Sequence, residues 1–145
     1  IQEAQQSLML WQWKEYSANS HGGANIPLAL EVVNGNLVFQ NQDCGTCGRN
    51  EQWKMKVSAH TVYTIGLEIY TSSKAGTARI WIDGKPMTMT ADKDKGTQVV
   101  RGNMYPGDPS PKWGAYRGEE VEINTWIYDV QVGLTKSDMD KKYFA

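Results

Sequence analysis

The chain has 145 residues, enough for one domain with a hydrophobic core, and its 40% of hydrophobic residues excludes a disordered chain. A formal net charge of −1 lacks the basic excess of most nucleic-acid-binding proteins, and no run approaches the roughly 18 apolar residues of a membrane span. We therefore expect neither nucleic acid nor a membrane as a partner. The first residues lack the basic start and apolar run of a signal peptide, so we expect a mature or trimmed product.

Alternation of apolar and polar residues predicts the first strand at 7–14. A loop rich in Gly and Asn follows at 19–25. Two further strands, at 27–33 and 36–40, flank Asn34-Gly35. An Asn-Gly pair between two such runs is the strongest short signal for a β-hairpin with a two-residue turn.

The two cysteines, Cys44 and Cys47, lie among Asn, Asp and Gly residues. A pair with this spacing can be a redox motif, half of a zinc site or a small structural disulfide. Redox pairs normally open a helix after a strand, and a tetrahedral zinc site needs further ligands. We therefore favour a loop disulfide, which implies an oxidising compartment and a secreted, extracellular protein.

The middle of the chain continues the β pattern, with strands predicted at 52–57 and 62–71. A second hairpin joins 77–83 to 85–90 through Asp83-Gly84, a turn of the same kind as the first. A short strand is expected at 97–101, after a charged turn.

The prolines and glycines at 102–111 predict a loop, and the last long strands are expected at 112–117 and 121–132. A short helix begins near Thr135, with a Ser or Thr cap. About nine strands with hairpin spacing predict an all-β fold, a β-jelly roll or concanavalin-like antiparallel sandwich with a short C-terminal helix. We expect residues 1–145 to form one domain.

Several segments resemble jelly-roll polysaccharide lyases in the order in which they occur. Residues 111–118 read Pro-Lys-Trp-Gly-Ala-Tyr-Arg-Gly, and the matching signature is roughly Tyr-Phe-Lys-Ala-Gly-x-Tyr in alginate lyases and Lys-Phe-Gly-Ile-Tyr-Arg in heparin-lyase-like enzymes. The other matching segments are Trp-Gln-Trp-Lys at 11–14, Pro-Leu-Ala-Leu-Glu-Val at 27–32, Arg-Ile-Trp-Ile-Asp-Gly-Lys at 79–85 and Tyr-Asp-Val-Gln-Val-Gly at 128–133.

Over nearly its whole length the chain resembles the fungal glucuronan lyases, polysaccharide lyase family twenty. The resemblance implies a lyase that acts on an acidic polysaccharide, with glucuronan as the expected substrate and no cofactor in catalysis. It also implies that an earlier N-terminal strand supplies an active-site histidine. We expect those strands to be missing from this chain or to form a separate chain that is a partner of this one.

Such lyases cut a uronic acid chain by β-elimination. The C5 proton is removed, an enolate-like carboxylate forms, and O4 leaves with a proton. The reaction needs a group that neutralises the carboxylate, a base and an acid. In a β-1,4-linked glucuronate the C5 hydrogen and O4 lie on the same ring face, so a single tyrosine beside cations can act as both base and acid.

Strand alternation places Lys112, Gly114 and Tyr116 on one face, with a gap at Gly114 where a sugar ring can approach the backbone. We expect Tyr116 to be catalytic and Lys112 to bind substrate. Gln12 shares a strand face with Lys14, a second candidate cation for substrate binding. The resemblance gives a glutamine on such a strand the role of stabilising the carboxylate during catalysis.

Five further residues are candidates that depend on how the chain folds. His21 and His60 are the only histidines, and His21 lies in a loop that can cover a groove. Arg79 lies on a strand face that can line the cleft. Arg117 is predicted to point to the opposite side of the strand from Tyr116, so it lines the cleft only if a β-bulge turns its side chain. Asp129 is a candidate ligand for a structural Ca²⁺.

Other functions fit the composition as well. A non-catalytic carbohydrate-binding jelly-roll module is the main alternative, since fold alone does not fix function. A glycoside hydrolase needs two facing carboxylates, and Glu119, Glu120 and Glu122 cluster at one turn without a spaced partner. The lyase-like segment argues against a third alternative, a laminin-G-like interaction domain.

Overall fold

The computed structural model describes residues 8–15, 25–44, 47–105, 107–116 and 124–144. Their regular structure consists of β-strands and three short 3₁₀ turns, at Asp92–Asp94, Lys136–Asp138 and Lys141–Tyr143. The strands are β1 (Leu8–Glu15), β2 (Leu28–Val33), β3 (Asn36–Asn41), β4 (Asn50–Lys56), β5 (Ile65–Tyr70), β6 (Gly76–Ile82), β7 (Lys85–Pro86), β8 (Val100–Gly102) and β9 (Pro109–Tyr116).

The strands form two antiparallel sheets. The first has five strands in the order β4-β3-β2-β1-β9, so β9 lies at an edge beside β1. In the second, β6 pairs with β5 along one side and with β7 and β8 along the other. This arrangement confirms the predicted all-β antiparallel sandwich, although the expected C-terminal helix consists of 3₁₀ turns only.

The hydrophobic core lies between the two sheets. The first sheet contributes residues on alternate positions of β1 to β4, and the second contributes Ala78, Ile80 and Ile82 of β6. Core residues of the first sheet are Trp11, Leu28, Leu30, Val32, Leu37, Phe39 and Trp53. Burial of these side chains is the main favourable contribution to folding. It also fixes which face of each strand points away from the core.

Both predicted hairpins are present. Asn34 and Gly35 have φ of 48° and 74°, and Asp83 and Gly84 have φ of 50° and 75°. Two consecutive positive φ values are the requirement of the type I′ turn, whose twist matches that of the paired strands. The local turn chemistry therefore sets the register of β2 with β3 and of β6 with β7.

Two predicted boundaries shift. The strand expected at 85–90 ends at Pro86, because the chain then turns inward and buries Met89. The loop expected at 102–111 ends earlier, since β9 begins at Pro109 and continues through Pro111. Proline lacks an N–H donor and is tolerated in a strand at the edge of a sheet, which is where β9 lies.

The strand predicted at 121–132 is wrong for its described part, residues 124–132, which pair with no strand that the structure describes. Asp129 has φ of 53°, which interrupts an extended conformation. The Tyr143 hydroxyl donates to the Asp129 carbonyl at 2.6 Å, and the Asp140 N–H donates to Gln131 Oε1 at 2.9 Å. These polar groups therefore bond to the following turns instead of to a ladder.

The C-terminal turns pack on the second sheet. The rings of Trp81 and Phe144 meet edge to face at 4.9 Å, and Lys136 Nζ lies 4.2 Å from the centroid of Trp81. Trp81 is therefore buried beneath this segment and not within the core between the sheets. At Gly66 an added Cβ would collide with the Tyr143 carbonyl, so the close approach requires glycine there.

The predicted disulfide is present between Cys44 and Cys47. Gln42 ties the loop to the sandwich, because its Nε2 donates to the Cys47 carbonyl at 2.7 Å and its Oε1 accepts from the Ile26 N–H at 2.9 Å. In the described residues, no helix has both the length and the apolar character needed to cross a membrane.

We expect the free energy of unfolding of the double variant Cys44→Ser/Cys47→Ser to be about 2 kcal/mol lower than that of the wild type. The effect is small because a cross-link between residues this close in sequence restricts the unfolded chain only slightly. Denaturant unfolding of both proteins measures the difference. The wild type under reducing conditions is the control and should match the variant. An unchanged midpoint in both would mean that the cross-link does not contribute to the free energy of unfolding.

Candidate functional site

The surface of the five-stranded sheet that points away from the core carries four of the predicted site residues, Gln12, Lys14, Lys112 and Tyr116; we call it the outer face. Directly paired residues on neighbouring strands point to the same side of a sheet, so the ladders define rows across this face. The first row is Tyr116, Met9, Glu31, Val38 and Lys54. The second row is Lys112, Gln12, Ala29, Gln40 and Glu51.

The predicted catalytic and binding residues of β1 and β9 are brought together. Gln12 and Lys112 are direct cross-strand partners, a position that places their Cβ atoms about 5 Å apart. Both line an open depression of about 120 Å³, and Tyr116 lines the same depression. Lys14 pairs with Ser110, one step further along the same strands and on the same face.

Gly114 lies between Lys112 and Tyr116 in the wall of this depression. Its φ of 148° belongs to the range that favours glycine, and a Cβ placed there would meet nothing within 4 Å. The ladder is irregular opposite this point, between Met9 and Trp11. Among the described residues there is therefore space beside the backbone at Gly114, and the approach of a sugar ring there stays a prediction.

Tyr116 is the last residue of β9 and is 72% exposed, so a ligand on the outer face can reach its side chain. Among the described strands β9 lies at the edge of the sheet, with β1 as its single neighbour, which accounts for this exposure. Trp113, on the opposite side of β9, pairs with Trp11 and is 45% exposed. Two aromatic rings thus lie exposed on β9.

The outer face has an excess of positive charge although the whole chain has a net charge of −1. At the described positions of this face, and at Arg49 directly before β4, cations outnumber carboxylates by five to two. The cations are Lys14, Arg49, Lys54, Lys56 and Lys112, and the carboxylates are Glu31 and Glu51. A concentration of one sign of charge on one surface attracts ligands of the opposite sign.

Arg49 and Glu31 form an ion pair that sequence reasoning missed. Arg49 Nη1 lies 2.9 Å from Glu31 Oε1, so the arginine reaches across β3 to the carboxylate on β2. The Glu31 side chain is only 5% exposed. The signal was present in the sequence, because a glutamate within the apolar strand β2 requires a cationic partner once buried.

Gln40, next to this pair in the second row, has a side-chain oxygen that is buried and accepts no hydrogen bond from any residue that the structure describes. Buried polar atoms in folded proteins nearly always have a partner. This acceptor is a second polar feature of the outer face that the sequence did not indicate.

Arg79 is not part of this face. It lies on β6 in the second sheet, where its Nη1 donates to Glu68 Oε1 at 2.6 Å. Partial burial raises the pKa of Glu68, but hydrogen bonds from Arg79 and Lys136 outweigh burial and hold that pKa below its ordinary value. His60 is also remote, at an exposed turn with φ of 55° after β4.

Some predicted residues lie outside the described residues. These are His21, Arg117 and the three glutamates Glu119, Glu120 and Glu122. Their roles stay predictions.

Asp129, the candidate calcium ligand, lies in the C-terminal segment. Its carboxylate accepts hydrogen bonds from the Lys142 ammonium and from Gln131 Nε2, and the bond from Lys142 lowers the pKa of Asp129 below its usual value. A lysine against the carboxylate does not fit a calcium site. Among the described residues no three His, Cys, Asp or Glu side chains form a group that could hold a metal ion. The calcium site stays a prediction.

Comparison of the chain with protein-family models, with curated proteins and with solved structures gave no match.

Proposed function

We propose that the protein is a secreted polysaccharide lyase that cleaves an acidic, uronate-containing polysaccharide on its outer face, with β-1,4-glucuronan as the favoured substrate. The observation that carries the proposal is that Gln12, Lys112 and Tyr116 line one open depression. The positive charge of the outer face favours a polyanionic substrate, and the disulfide suits an oxidising compartment.

The residues of the depression match the requirements of β-elimination. Lys112 neutralises the C5 carboxylate of the bound uronate, and the Gln12 amide donates a hydrogen bond to the same group as charge builds on it. The phenolate form of Tyr116 accepts the C5 proton, the C4–O4 bond breaks, and a C4=C5 double bond forms. Tyr116 then returns the proton to O4, so the products are a 4,5-unsaturated uronate end and a free hydroxyl.

A non-catalytic carbohydrate-binding module is the second candidate. The exposed rings of Trp113 and Tyr116 favour it, because flat aromatic surfaces can stack on sugar rings. A module would bind the polysaccharide without producing an unsaturated end.

The test is the ultraviolet absorbance of the unsaturated product, with glucuronan, alginate and heparin offered separately. We expect product from glucuronan. Lys112→Met should lower kcat/KM about a hundredfold, because it removes a charge that stabilises the developing enolate.

Lys85→Met is the matched control, since Lys85 is an exposed lysine on β7 of the second sheet. We expect its activity to be unchanged. Absence of product from all three polymers, with retained binding of glucuronan, would favour the module. Equal loss in both lysine variants would contradict the role of Lys112.

A further inference from the structure

Arg49 is the cation of the outer face whose position is fixed by a buried partner. Glu31 holds one edge of the guanidinium at 2.9 Å, while the arginine side chain stays 35% exposed. A guanidinium carries five N–H donors in a planar fork, and a single carboxylate does not use them all. The remaining donors are available to a second carboxylate from solution.

The rows of the sheet give the separation between this group and the depression. Glu31 lies in the same row as Tyr116, two strands away from β9. At about 4.8 Å per strand the separation is roughly 10 Å. Met9 and Glu31, which lie between the two groups in this row, are buried, so direct contacts to a polymer come from the exposed Tyr116 and Arg49. A sugar unit has a length close to one strand spacing, so a polysaccharide that crosses the strands from β9 toward β4 places a carboxylate over Arg49 about two units from the bond that is cut.

We infer that Arg49, positioned by Glu31, binds the carboxylate of a uronate about two sugar units away from the cleavage site. The inference rests on the proposed function and extends it, because it gives the polymer a direction across the sheet. Lys54 and Lys56 on β4 continue the positive surface beyond Arg49. The enzyme then recognises a stretch of consecutive uronates and not one isolated acidic sugar.

A paired arginine on the second sheet supplies a control. Arg79 forms an ion pair with Glu68 at 2.6 Å on the second sheet, and its side chain is exposed to a similar degree, 41%. Arg79→Ala therefore measures the general effect of removing a half-exposed arginine from an ion pair, although its partner Glu68 is 35% exposed where Glu31 is 5% exposed. An effect on substrate should appear only at Arg49.

The experiment measures kcat and KM of Arg49→Ala and Arg79→Ala on glucuronan and on oligoglucuronates of increasing length. We expect Arg49→Ala to raise KM for the polymer about tenfold, the contribution of a hydrogen bond to a charged group, with kcat changed less than about twofold. On the shortest oligomer that is cleaved, the two variants should have the same KM. Arg49→Lys should give an intermediate KM, since lysine keeps the charge and loses the fork.

Arg49→Ala alone leaves Glu31 buried without its cation, which can unfold the protein. The double variant Arg49→Ala/Glu31→Gln removes that charge and keeps the test informative. A polymer KM equal to that of Arg79→Ala in an active, folded double variant would overturn the inference and leave the proposed function standing.

A binding measurement tests the carboxylate site in the case where the protein has no lyase activity. If wild-type protein gives no product from any uronan, affinity electrophoresis in glucuronan gels compares the same variants without turnover. Weaker retention of the Arg49 variants alone would support the carboxylate site while the proposed function fails. Equal retention of both arginine variants would count against the site as well.

Discussion

Replacement of Tyr116 by phenylalanine is expected to lower kcat on glucuronan at least about a thousandfold while binding of the polymer changes little. General acid–base catalysis by one side chain contributes roughly 10²–10⁴-fold, and here the same phenolic oxygen takes the C5 proton and delivers it to O4. Phenylalanine keeps the ring at this exposed position and deletes only the hydroxyl. The loss should therefore appear in kcat and not in KM.

Tyr70→Phe is the control for this prediction. Tyr70 is a tyrosine of similar exposure, 64%, at the end of β5 in the second sheet, so the same chemical change is made away from the outer face. Absorbance of the unsaturated product gives kcat, and affinity electrophoresis gives binding. Activity of Tyr116→Phe within tenfold of the wild type would remove Tyr116 from the reaction, and the base would then have to be another group.

Local sequence signals predicted most of the fold. Asn34-Gly35 and Asp83-Gly84 adopt the positive φ values that a two-residue hairpin turn requires, so each hairpin is set by its own residues. The alternating pattern predicted that Gln12 shares a strand face with Lys14 and that Lys112 shares one with Tyr116, and the ladders confirm both. Period and turn chemistry are local properties, which is why they are readable in a sequence.

The part that was not predictable depends on contacts between distant segments. That Gln12 lies directly opposite Lys112 depends on the register of strands about a hundred residues apart, which no local pattern specifies. The pairing of Arg49 with Glu31 needs the strand order β4-β3-β2. The segment at 124–132 has the alternation of a strand, but a strand also needs a neighbour, and alternation does not supply one.

Arg79 shows the same difference between local pattern and long-range contact. Its side chain has the chemistry that binds a carboxylate, and its strand face is polar enough for a cleft. The fold places it on the second sheet, where Glu68 on the neighbouring strand takes that role. Residue type therefore indicates what a side chain can bind. The pairing of strands decides whether another residue of the protein is already bonded to that side chain.

Phe39→Ala is expected to have the largest effect on stability. The Phe39 side chain is completely buried, and its cross-strand partners Leu30 and Trp53 lie on the same core face. Truncation of a buried phenylalanine to alanine costs about 3–5 kcal/mol, because transfer free energy is lost and a cavity remains. For a domain of this size the melting temperature should fall by roughly 10 °C, as measured by thermal unfolding.

Val62→Ala removes two methyl groups at a position that is 75% exposed, so its stability should stay within about 0.5 kcal/mol of the wild type. Phe39 contributes nothing to the outer face. Its side chain points into the core, whereas its neighbours Val38 and Gln40 on the same strand point to the outer face. The folded fraction of Phe39→Ala should therefore keep its activity well below its melting temperature. A loss of less than about 1 kcal/mol would mean that the two sheets do not pack through this ring. Normal stability with lost activity would mean that the core and the outer face are coupled through β3.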